Sequence, residues 1–519
     1  MQRVQRGGRV EPLTRDRTKP SPRRIAGLLP AGREALEADR CAEAVAALTP
    51  VVRSKPRSPV ALYDLARAHF FLGEVGAATQ LLKRACRIGA PLETRGFLAC
   101  AAAFDPAIGQ AAVLRYRRSF SAALARRFGS ARSGVDRQKL RKKLRVGYVS
   151  SFFHAENWMK PVWALIDHHD PRSVEVHLFS DSSRGTDARR RAGVAGARFH
   201  DVFGMRNAEI VRRIARERLD VLVDLNGFSR MGRLPIFLAR PAPVVVAWFN
   251  IFGTTGMECF DALIGDGWVF LRGEERWYSE RVIRLPMSYL TFDVTYPVPR
   301  VQRPPCLRNG FVTFGSLAPL YKLNDQVLAA WAEILKRSPK SRLLLANGSL
   351  SEPGNLRHTL ARFAALGIGP ERLVLAGGAP HREFLRKYGE VDISLDTFPY
   401  NGGTTTTESI WQGVPVLTFS GDRWISRTSA SLLCNAGLDE FVLPDVRAYI
   451  EAAVRWGKSA GSARTLRALR AGMRARLRRS SVCDAARLAR EMEDTFRDLC
   501  SRGQFAMAEI WTLGQIRRR

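Results

Sequence analysis

Residues 391–416, VDISLDTFPYNGGTTTTESIWQGVPV, combine the ingredients of an anion site. VDISLD is a short β-prone run. Pro399, Asn401, Gly402 and Gly403 break it with turn chemistry. Thr404, Thr405 and Thr406 follow, and Glu408 to Trp411 begins an amphipathic helical pattern. The first amides of a helix lack intrahelical partners and sit at the positive end of its dipole. Hydroxyls there add donors, glycine lets a ligand approach the backbone, and phosphate suits such a place. Glu408, one turn into the helix, falls within reach of a ribose hydroxyl. A capped surface turn uses the same residue types, so this stretch does not decide alone.

Lys322 lies in FVTFGSLAPLYKLNDQVLAAWAEILKRSP, which reads as strand, loop and helix. A lysine beyond a strand can supply positive charge where a departing phosphate develops negative charge. The plainer alternative is an exposed lysine at a helix start. LRVGYVSSFF from Leu144 and DVLVDLNGFSRMGRLPIFLARPAPVVVAWFNIFGTTG from Asp220 have the same strand-then-loop texture. The latter contains the polar loop Asn226-Gly227-Phe228-Ser229, for which a simple β-turn is the alternative. No Asp-x-Asp motif stands in a metal-binding context, so metal-independent chemistry without a cofactor is expected.

These loops need strands behind them. Over residues 144–297, LRVGYVSS, VEVHLFSD and LDVLVDLN alternate with helical stretches. From Gly310, FVTFGS, SRLLLAN, RLVLAG, VDISLD and VPVLTF do the same. Such alternation predicts parallel, doubly wound sheets. The Pro- and Arg-rich residues 299–305 form a linker between two Rossmann-like lobes. A ligand then belongs at the carboxyl ends of the strands. Ahead of the lobes, residues 28–119 repeat with a 34-residue period. Ala44, Leu48 and Val51 match Ala78, Leu82 and Ala85, and Asp39 and Gly73 fall at the same inter-helix turn. Pro56 and Pro91 close the two units, and Ala112 and Tyr116 keep register in a weaker third. This is the helix-pair pattern of tetratricopeptide repeats.

Taken in order, these motifs resemble the catalytic region of the O-GlcNAc transferase and SPINDLY family. The resemblance covers most of residues 144–500. It includes GDRWISRTSASLL from Gly421 and an Arg-rich helical tail beginning near Ala463. It implies an α/β fold of two Rossmann-like lobes, the GT-B architecture, preceded by a short all-α repeat domain. The implied spans are a basic, disordered 1–24, repeats over 25–125 and a basic linker over 126–143. An acceptor-side lobe follows over 144–300, then a nucleotide-sugar lobe over 301–482, and helices crossing back to the first lobe over 483–519. The implied activity is inverting, metal-independent transfer of a sugar, GlcNAc from UDP-GlcNAc first among them, to Ser/Thr hydroxyls of protein. GDP-fucose or UDP-glucose as donor, a different acceptor, and a catalytically weak repeat scaffold stay open.

The resemblance also implies roles. Lys322, in the LYK motif, would contact the donor diphosphate. Asn401, Gly402, Gly403 and Thr404 to Thr406 would cradle the phosphates, and Glu408 would hold the ribose. His381 and Phe384, in APHREFLRKYG, occupy the base-holding loop, with Phe384 where the family stacks a histidine. Asn226 and Ser229 would flank the donor sugar. The chain departs from the family on the sugar side. Phe152 stands at an aspartate position and Glu156 at that of a histidine, and a two-residue shift would offer His154 instead. Glu156 or His154 is thus the candidate to act as general base for the acceptor hydroxyl or to bind the sugar's hydroxyls. Leu317-Ala318-Pro319 and Phe249-Asn250-Ile251-Phe252 replace further family residues. No asparagine precedes Asn157, so the asparagine-lined substrate channel of the family's long repeat arrays is not expected. A protein acceptor docked by the short repeats remains the expected partner.

The chain has 519 residues, 46% of them apolar, enough for several cores. No window approaches a membrane span, and the first 24 residues lack the apolar segment of a secretory signal. Eight scattered cysteines, with no CxxC pair and no His at ligand spacing, predict buried thiols, no structural disulfide and no zinc. They suit a reducing, cytoplasmic setting. Net charge is +33, from 82 Lys+Arg against 49 Asp+Glu. Nucleic acid or a membrane surface, an anionic donor or acidic partner, and arginine-rich solvated faces all fit it. Without an RNA- or DNA-binding motif, nucleic acid is not the expected partner. Residues 115–145, basic with the single acid Asp136, form the best polyanion patch.

Overall fold

The structure, a computed structural model, describes residues 22–130, 141–155, 157–459 and 461–516. The basic segment 1–24 and the linker 126–143 lie largely outside these, and Glu156 does so entirely.

Two parallel sheets form the lobes. The first contains β1 Leu144–Ser150, β2 Val174–Ser180, β3 Arg198–Asp201, β4 Val221–Asp224, β5 Val244–Ala247, β6 Ala262–Asp266 and β7 Arg281–Leu285. Its order is β3-β2-β1-β4-β5-β6-β7. The second contains β8 Thr313–Ser316, β9 Arg342–Ala346, β10 Leu373–Ala376, β11 Ile393–Leu395, β12 Val416–Phe419 and β13 Val442–Leu443, in the order β10-β9-β8-β11-β12-β13. Central strands such as VLVD of β4 and TFGS of β8 are buried along their whole length, as strands covered by helices on both faces must be. In both sheets the strand order reverses beside the first strand, between β1 and β4 and between β8 and β11. Val146 pairs with Val221 there, and Ile393 with Phe314. Ligand crevices open at such switch points.

Six helices precede the sheets: α1 Pro22–Glu37, α2 Cys41–Ser54, α3 Pro59–Phe71, α4 Val75–Arg87, α5 Leu92–Ala101 and α6 Gln110–Phe128. The repeat residues Ala44, Leu48, Ala78, Leu82 and Ala85 are fully buried. Asp39 and Gly73 both take positive φ, +57° and +83°, which reverses the chain within a short turn. The third pair is joined by a longer loop, 102–109, in which Thr79 donates to Asp105 at 2.6 Å. α6 runs to Phe128, three residues into the span expected to be linker.

The repeats are wedged against both lobes. Asn355, on the helix Pro353–Ala365, donates to Asp39 O at 2.7 Å and accepts from Ala42 N at 3.0 Å. Glu74 lies 2.5 Å from His69 and 3.0 Å from His358, which hold its carboxyl far below the usual range despite burial. Arg117 corrects the expectation of a continuous exposed basic patch over 115–145. It is 2% exposed, stacks on Phe228 at 4.3 Å and donates to Thr254 O and to Ile251 O.

Beyond the second sheet, the Arg-rich helix Ser462–Arg478 pins the inter-lobe linker, with Arg470 donating to Gln302 O and Arg474 to Pro299 O. A single helix, Ala485–Ile516, then returns to the first lobe, where Glu493 meets His169 at 2.9 Å.

Candidate active site

The loops that carry the sequence motifs meet at the two switch points. β8 runs into residues 317–319 and a 3₁₀ turn, Leu320–Lys322. β11 runs into Asp396 and the turn that starts the helix Thr404–Trp411. Asp396 organises that turn. It is buried and accepts from Gly402 N at 2.8 Å and Thr418 Oγ1 at 2.7 Å. Burial raises its carboxyl. Gly402 is required sterically, since a Cβ there would lie 2.3 Å from Thr406 Oγ1.

Lys322 crosses from one loop to the other. Its Nζ donates to Asn401 O at 2.7 Å and stands 3.7 Å from the Tyr400 ring centre. Burial pushes the ammonium down to about 8, against the pull of Asp396. Among the described residues no carboxylate lies within salt-bridge distance of it, and a buried lysine beside a helix start has the chemistry to take an anion. Gly403, Thr404 and Thr405 line the same cavity. Thr406 does not. Its hydroxyl is buried on Ser429 Oγ at 2.7 Å, so only its amide is left for the expected cradle. Asn401 turns its side chain inward to donate to Thr397 O at 2.8 Å, and its Oδ1 is buried without a partner.

Glu408 is 6% exposed and carries a contact the sequence did not foreshadow. Lys160, the first residue of α7 (Lys160–His168) in the opposite lobe, donates to Glu408 Oε1 at 2.7 Å. His381 Nε2 lies 2.7 Å from the same oxygen, while Oε2 has no hydrogen bond among the described residues. Lys160 Nζ stands over the Tyr296 ring at 4.4 Å, and the His381 ring packs against Tyr296 at 5.2 Å, tilted by 57°. Burial lowers the Lys160 ammonium, and Glu408 opposes that. Lys160 also sits at the positive end of its helix dipole, the wrong end for a cation. A residue placed against local preference is a mark of function. Phe384 is half-buried, packed against the cluster that includes Leu385, Tyr388 and Val391.

On the first-lobe side, Asn226 Oδ1 accepts from Ser151 N at 2.8 Å, tying the loops after β1 and β4 together, and its Nδ2 is buried without a partner. Ser229 lines the cavity and accepts from Asn250 Nδ2 at 2.9 Å. His154 is not among the cavity-lining residues. It turns to Ser182, 2.8 Å from Nδ1, and burial with Arg184 lowers its pKa. Phe249 and Phe252 both adopt left-handed φ, +72° and +51°. Such strain costs on the order of 1–3 kcal/mol per residue and survives only where the surroundings impose it. They do so here. Arg117 grips Ile251 O, Asn250 donates to Asn226 O, and Gly227 leaves only enough room for the Asn250 carbonyl.

The cavity holds about 1190 Å³ between the lobes and the repeats. The repeats reach its chemistry directly: Phe70 stacks on Tyr321 at 5.9 Å, and Phe104 meets Tyr400 at 4.8 Å. The lobes are joined again at the far side by Arg427 and Glu274, at 2.6 and 2.8 Å.

Outside the cleft, His177, His200 and Glu217 are the one group of possible metal ligands among the described residues. Their polar atoms are already engaged. His177 lies 3.1 Å from both Glu175 and His200, and Arg213 lies 3.4 Å from the other nitrogen of His200. Burial lowers His200 to about 4, so the ring stays neutral near pH 7. A hydrogen-bonded histidine pair accounts for the group without an ion.

Two parallel Rossmann-like lobes with a glycine- and threonine-rich turn at the cleft define a GT-B glycosyltransferase architecture. A model of glycosyl transferase family 41 matches residues 131–306 and 301–492. A probable UDP-N-acetylglucosamine–peptide N-acetylglucosaminyltransferase SPINDLY of Solanum lycopersicum is 31% identical over 366 residues, covering 70% of this chain and 39% of the relative. The corresponding probable transferase SEC of Arabidopsis thaliana is 29% identical over 391 residues, covering 72% of this chain and 40% of its own length. The chain thus spans about two fifths of these curated relatives. A solved mutant O-GlcNAc transferase of Thermobaculum terrenum superposes with a TM-score of 0.79 at 29% identity, covering 93% of this chain and 99% of that one. The chain belongs to glycosyl transferase family 41.

Proposed function

We propose that this chain is an inverting, metal-independent glycosyltransferase that moves a sugar, GlcNAc from UDP-GlcNAc in the first instance, to Ser or Thr hydroxyls of a protein. The observation that carries the reading is Lys322, buried beside Tyr400 with its ammonium on the Asn401 carbonyl at the start of the helix Thr404–Trp411. In the reaction the acceptor oxygen bonds to the sugar's anomeric carbon as the bond from that carbon to the diphosphate oxygen breaks. The electron pair leaves with the nucleoside diphosphate, and the hydroxyl proton passes to a base. Lys322 and the amides of Gly403 to Thr405 supply the positive potential that the departing diphosphate needs, which supports a route without a metal. Glu408 Oε2 is available to a ribose hydroxyl. Glu156 is the better candidate for that base, because His154 is turned to Ser182 and is not among the cavity-lining residues. The homologues' names support the donor and the peptide acceptor, and the scattered cysteines support a cytoplasmic setting. No helix among the described residues is long and apolar enough to cross a membrane.

A second reading keeps the scaffold and changes the donor. Its support is the aromatic sugar side, Phe152, Phe249 and Phe252, together with Phe384 in the base-holding loop. The test is calorimetric or thermal-shift titration with UDP, GDP, UDP-GlcNAc, UDP-glucose and GDP-fucose, on wild type and Lys322→Ala. A nucleotide-selective response lost in the variant is expected. A response to guanine nucleotides alone favours the second reading, and no response to any nucleotide overturns both.

A further inference from the structure

The cavity changes character away from Thr404. Trp158 lies parallel to Phe249, with ring centres 6.1 Å apart and 8° between planes, and Phe152 packs on Trp158 at 4.9 Å. Phe252 meets Tyr400 at 5.1 Å, and Tyr400 meets Phe104 of the repeats at 4.8 Å. Rings therefore line the way from the first-lobe loop after β1 to the helical domain, beside the lysine that faces the donor phosphates. Two of these rings, Phe249 and Phe252, stand on left-handed backbone that Gly or Asn would adopt more readily. Their loop is braced from two sides, by Arg117 and by the neighbouring loop residues Asn226 and Gly227. Strain held in this way marks a functional surface.

Asn401, Thr404, Thr405, Thr428, Ser229 and Asn250 are the small polar residues of the wall. Ser229 and Asn250 already bond each other. Among the described residues the charge is one-sided: Arg67, Arg127, Arg230 and Lys322 line the cavity beside the engaged Arg117, with Glu93 as the one acid. Rings stack on apolar side chains and on sugar faces alike, so the choice between them falls to the charge. An apolar segment with negative charge fits both the rings and the cations.

Resting on the glycosyltransferase reading above, we propose that the acceptor is a protein segment with bulky apolar or aromatic side chains flanking the modified hydroxyl and an acidic residue further out, selected by Phe249 and Phe252.

The experiment uses the full chain, with its donor first identified by nucleotide calorimetry. Acceptors are Ser-centred peptides whose flanks are Phe/Leu, Gly/Asn, Asp or Lys, together with a plain oligosaccharide. At least a tenfold kcat/KM preference for Phe/Leu over Gly/Asn flanks is expected, and a fivefold preference for Asp over Lys at outer positions. Phe252→Gly relieves left-handed strain, so it should melt no lower than wild type while the apolar preference shrinks below threefold. A merely structural ring would not separate those readouts. Should Phe252→Gly fail to fold, Phe249→Asn makes the same test. A flat array, a preference for Gly/Asn flanks, or faster transfer to the oligosaccharide overturns the proposal, as does a preference that survives both variants. No nucleotide binding removes the transferase reading as well, whereas nucleotide binding with a flat array removes this proposal alone.

Discussion

Lys160→Met tests how the two lobes share the donor. The substitution keeps an apolar stem against Tyr296 and removes the charge 2.7 Å from Glu408 Oε1. Breaking a buried ion pair from one side costs about 3–5 kcal/mol. Two features reduce that here. Removing a cation from the N-terminus of α7 returns about 0.3–1 kcal/mol of unfavourable dipole interaction. His381 also remains on the same carboxylate oxygen. The expected net loss of stability is about 2–4 kcal/mol. The functional share falls on the nucleotide. A hydrogen bond to a charged acceptor contributes about 1.5–3 kcal/mol. Glu408 with Oε1 held by His381 alone should lose about half of what Oε2 offers the ribose, roughly four- to thirteenfold in Kd.

Calorimetric titration with the nucleoside diphosphate reads this loss without any acceptor. Glu408→Gln and the double variant complete the cycle. If Lys160 acts through Glu408, the double variant binds no more weakly than Glu408→Gln alone, and Lys160→Arg recovers part of the loss. Independent, additive losses would refute the linkage, and so would a folded Lys160→Met protein that binds nucleotide like wild type. Once an acceptor is known, KM for the donor should rise while kcat changes little, the signature of uniform binding. A large fall in kcat at constant KM would instead place Lys160 in the chemical step.

Two further outcomes follow from the same geometry. Lys322 titrates near 8 in the folded chain, against an ordinary 10.5. Nucleoside diphosphate affinity should therefore fall above about pH 8, by up to about tenfold per pH unit, and Lys322→Met should abolish that slope. The stability effect has the opposite sign: the unfolded lysine keeps its proton longer, so the penalty of the buried charge is present below about pH 8 and is relieved between there and 10.5, which pH-dependent unfolding of wild type against Lys322→Met would show. Gly73→Ala puts a Cβ 2.5 Å from the carbonyls of Leu320 and Leu323 at φ +83°, so it should weaken nucleotide binding from a repeat turn, whereas Gly76→Ala, whose Cβ meets nothing within 4 Å, should not; equal binding in the two variants would refute a coupled repeat domain.

What the sequence disclosed was local. β1, β2, β4 and β8 to β12 are apolar runs ended by turn residues, and burial on both faces makes such strands conspicuous. β3, RFHD, is short and charged at a sheet edge; β7, RVIRL, alternates charge at the other edge; β13 has two residues. None offers a pattern to find. The residues of the proposed phosphate side could be picked out for a related reason. Lys322 and residues 401–405 lie in loops of adjacent strands, where the turn chemistry that shapes the backbone also makes the site. Glu408 was found, but its partner 248 positions away in sequence was not. The one available signal was a lysine starting a helix, where acids are preferred. Arg117 misled in the opposite direction, because a basic run reads as solvated surface while only the fold reveals which cation is buried.

The division between a legible and an illegible half has a physical cause. The proposed phosphate side belongs to one lobe and would present amides and one cation to a group whose shape does not vary. The remainder of the cavity is assembled from three separately folded parts, the first lobe, the second lobe and the repeats, and its surface depends on how they meet. Gly73 packs on the turn that carries Lys322, Phe104 and Phe70 touch the tyrosines beside it, and Arg117 holds the strained phenylalanine loop. The repeats are thus a wall of the site rather than an appendage to it. A change in repeat geometry moves the acceptor surface and the lysine turn together, whereas an exchange of aromatic residues in the loop after β5 changes the acceptor surface alone. Donor chemistry can then stay fixed while acceptor choice varies, because the two are carried by elements that answer to different packing constraints.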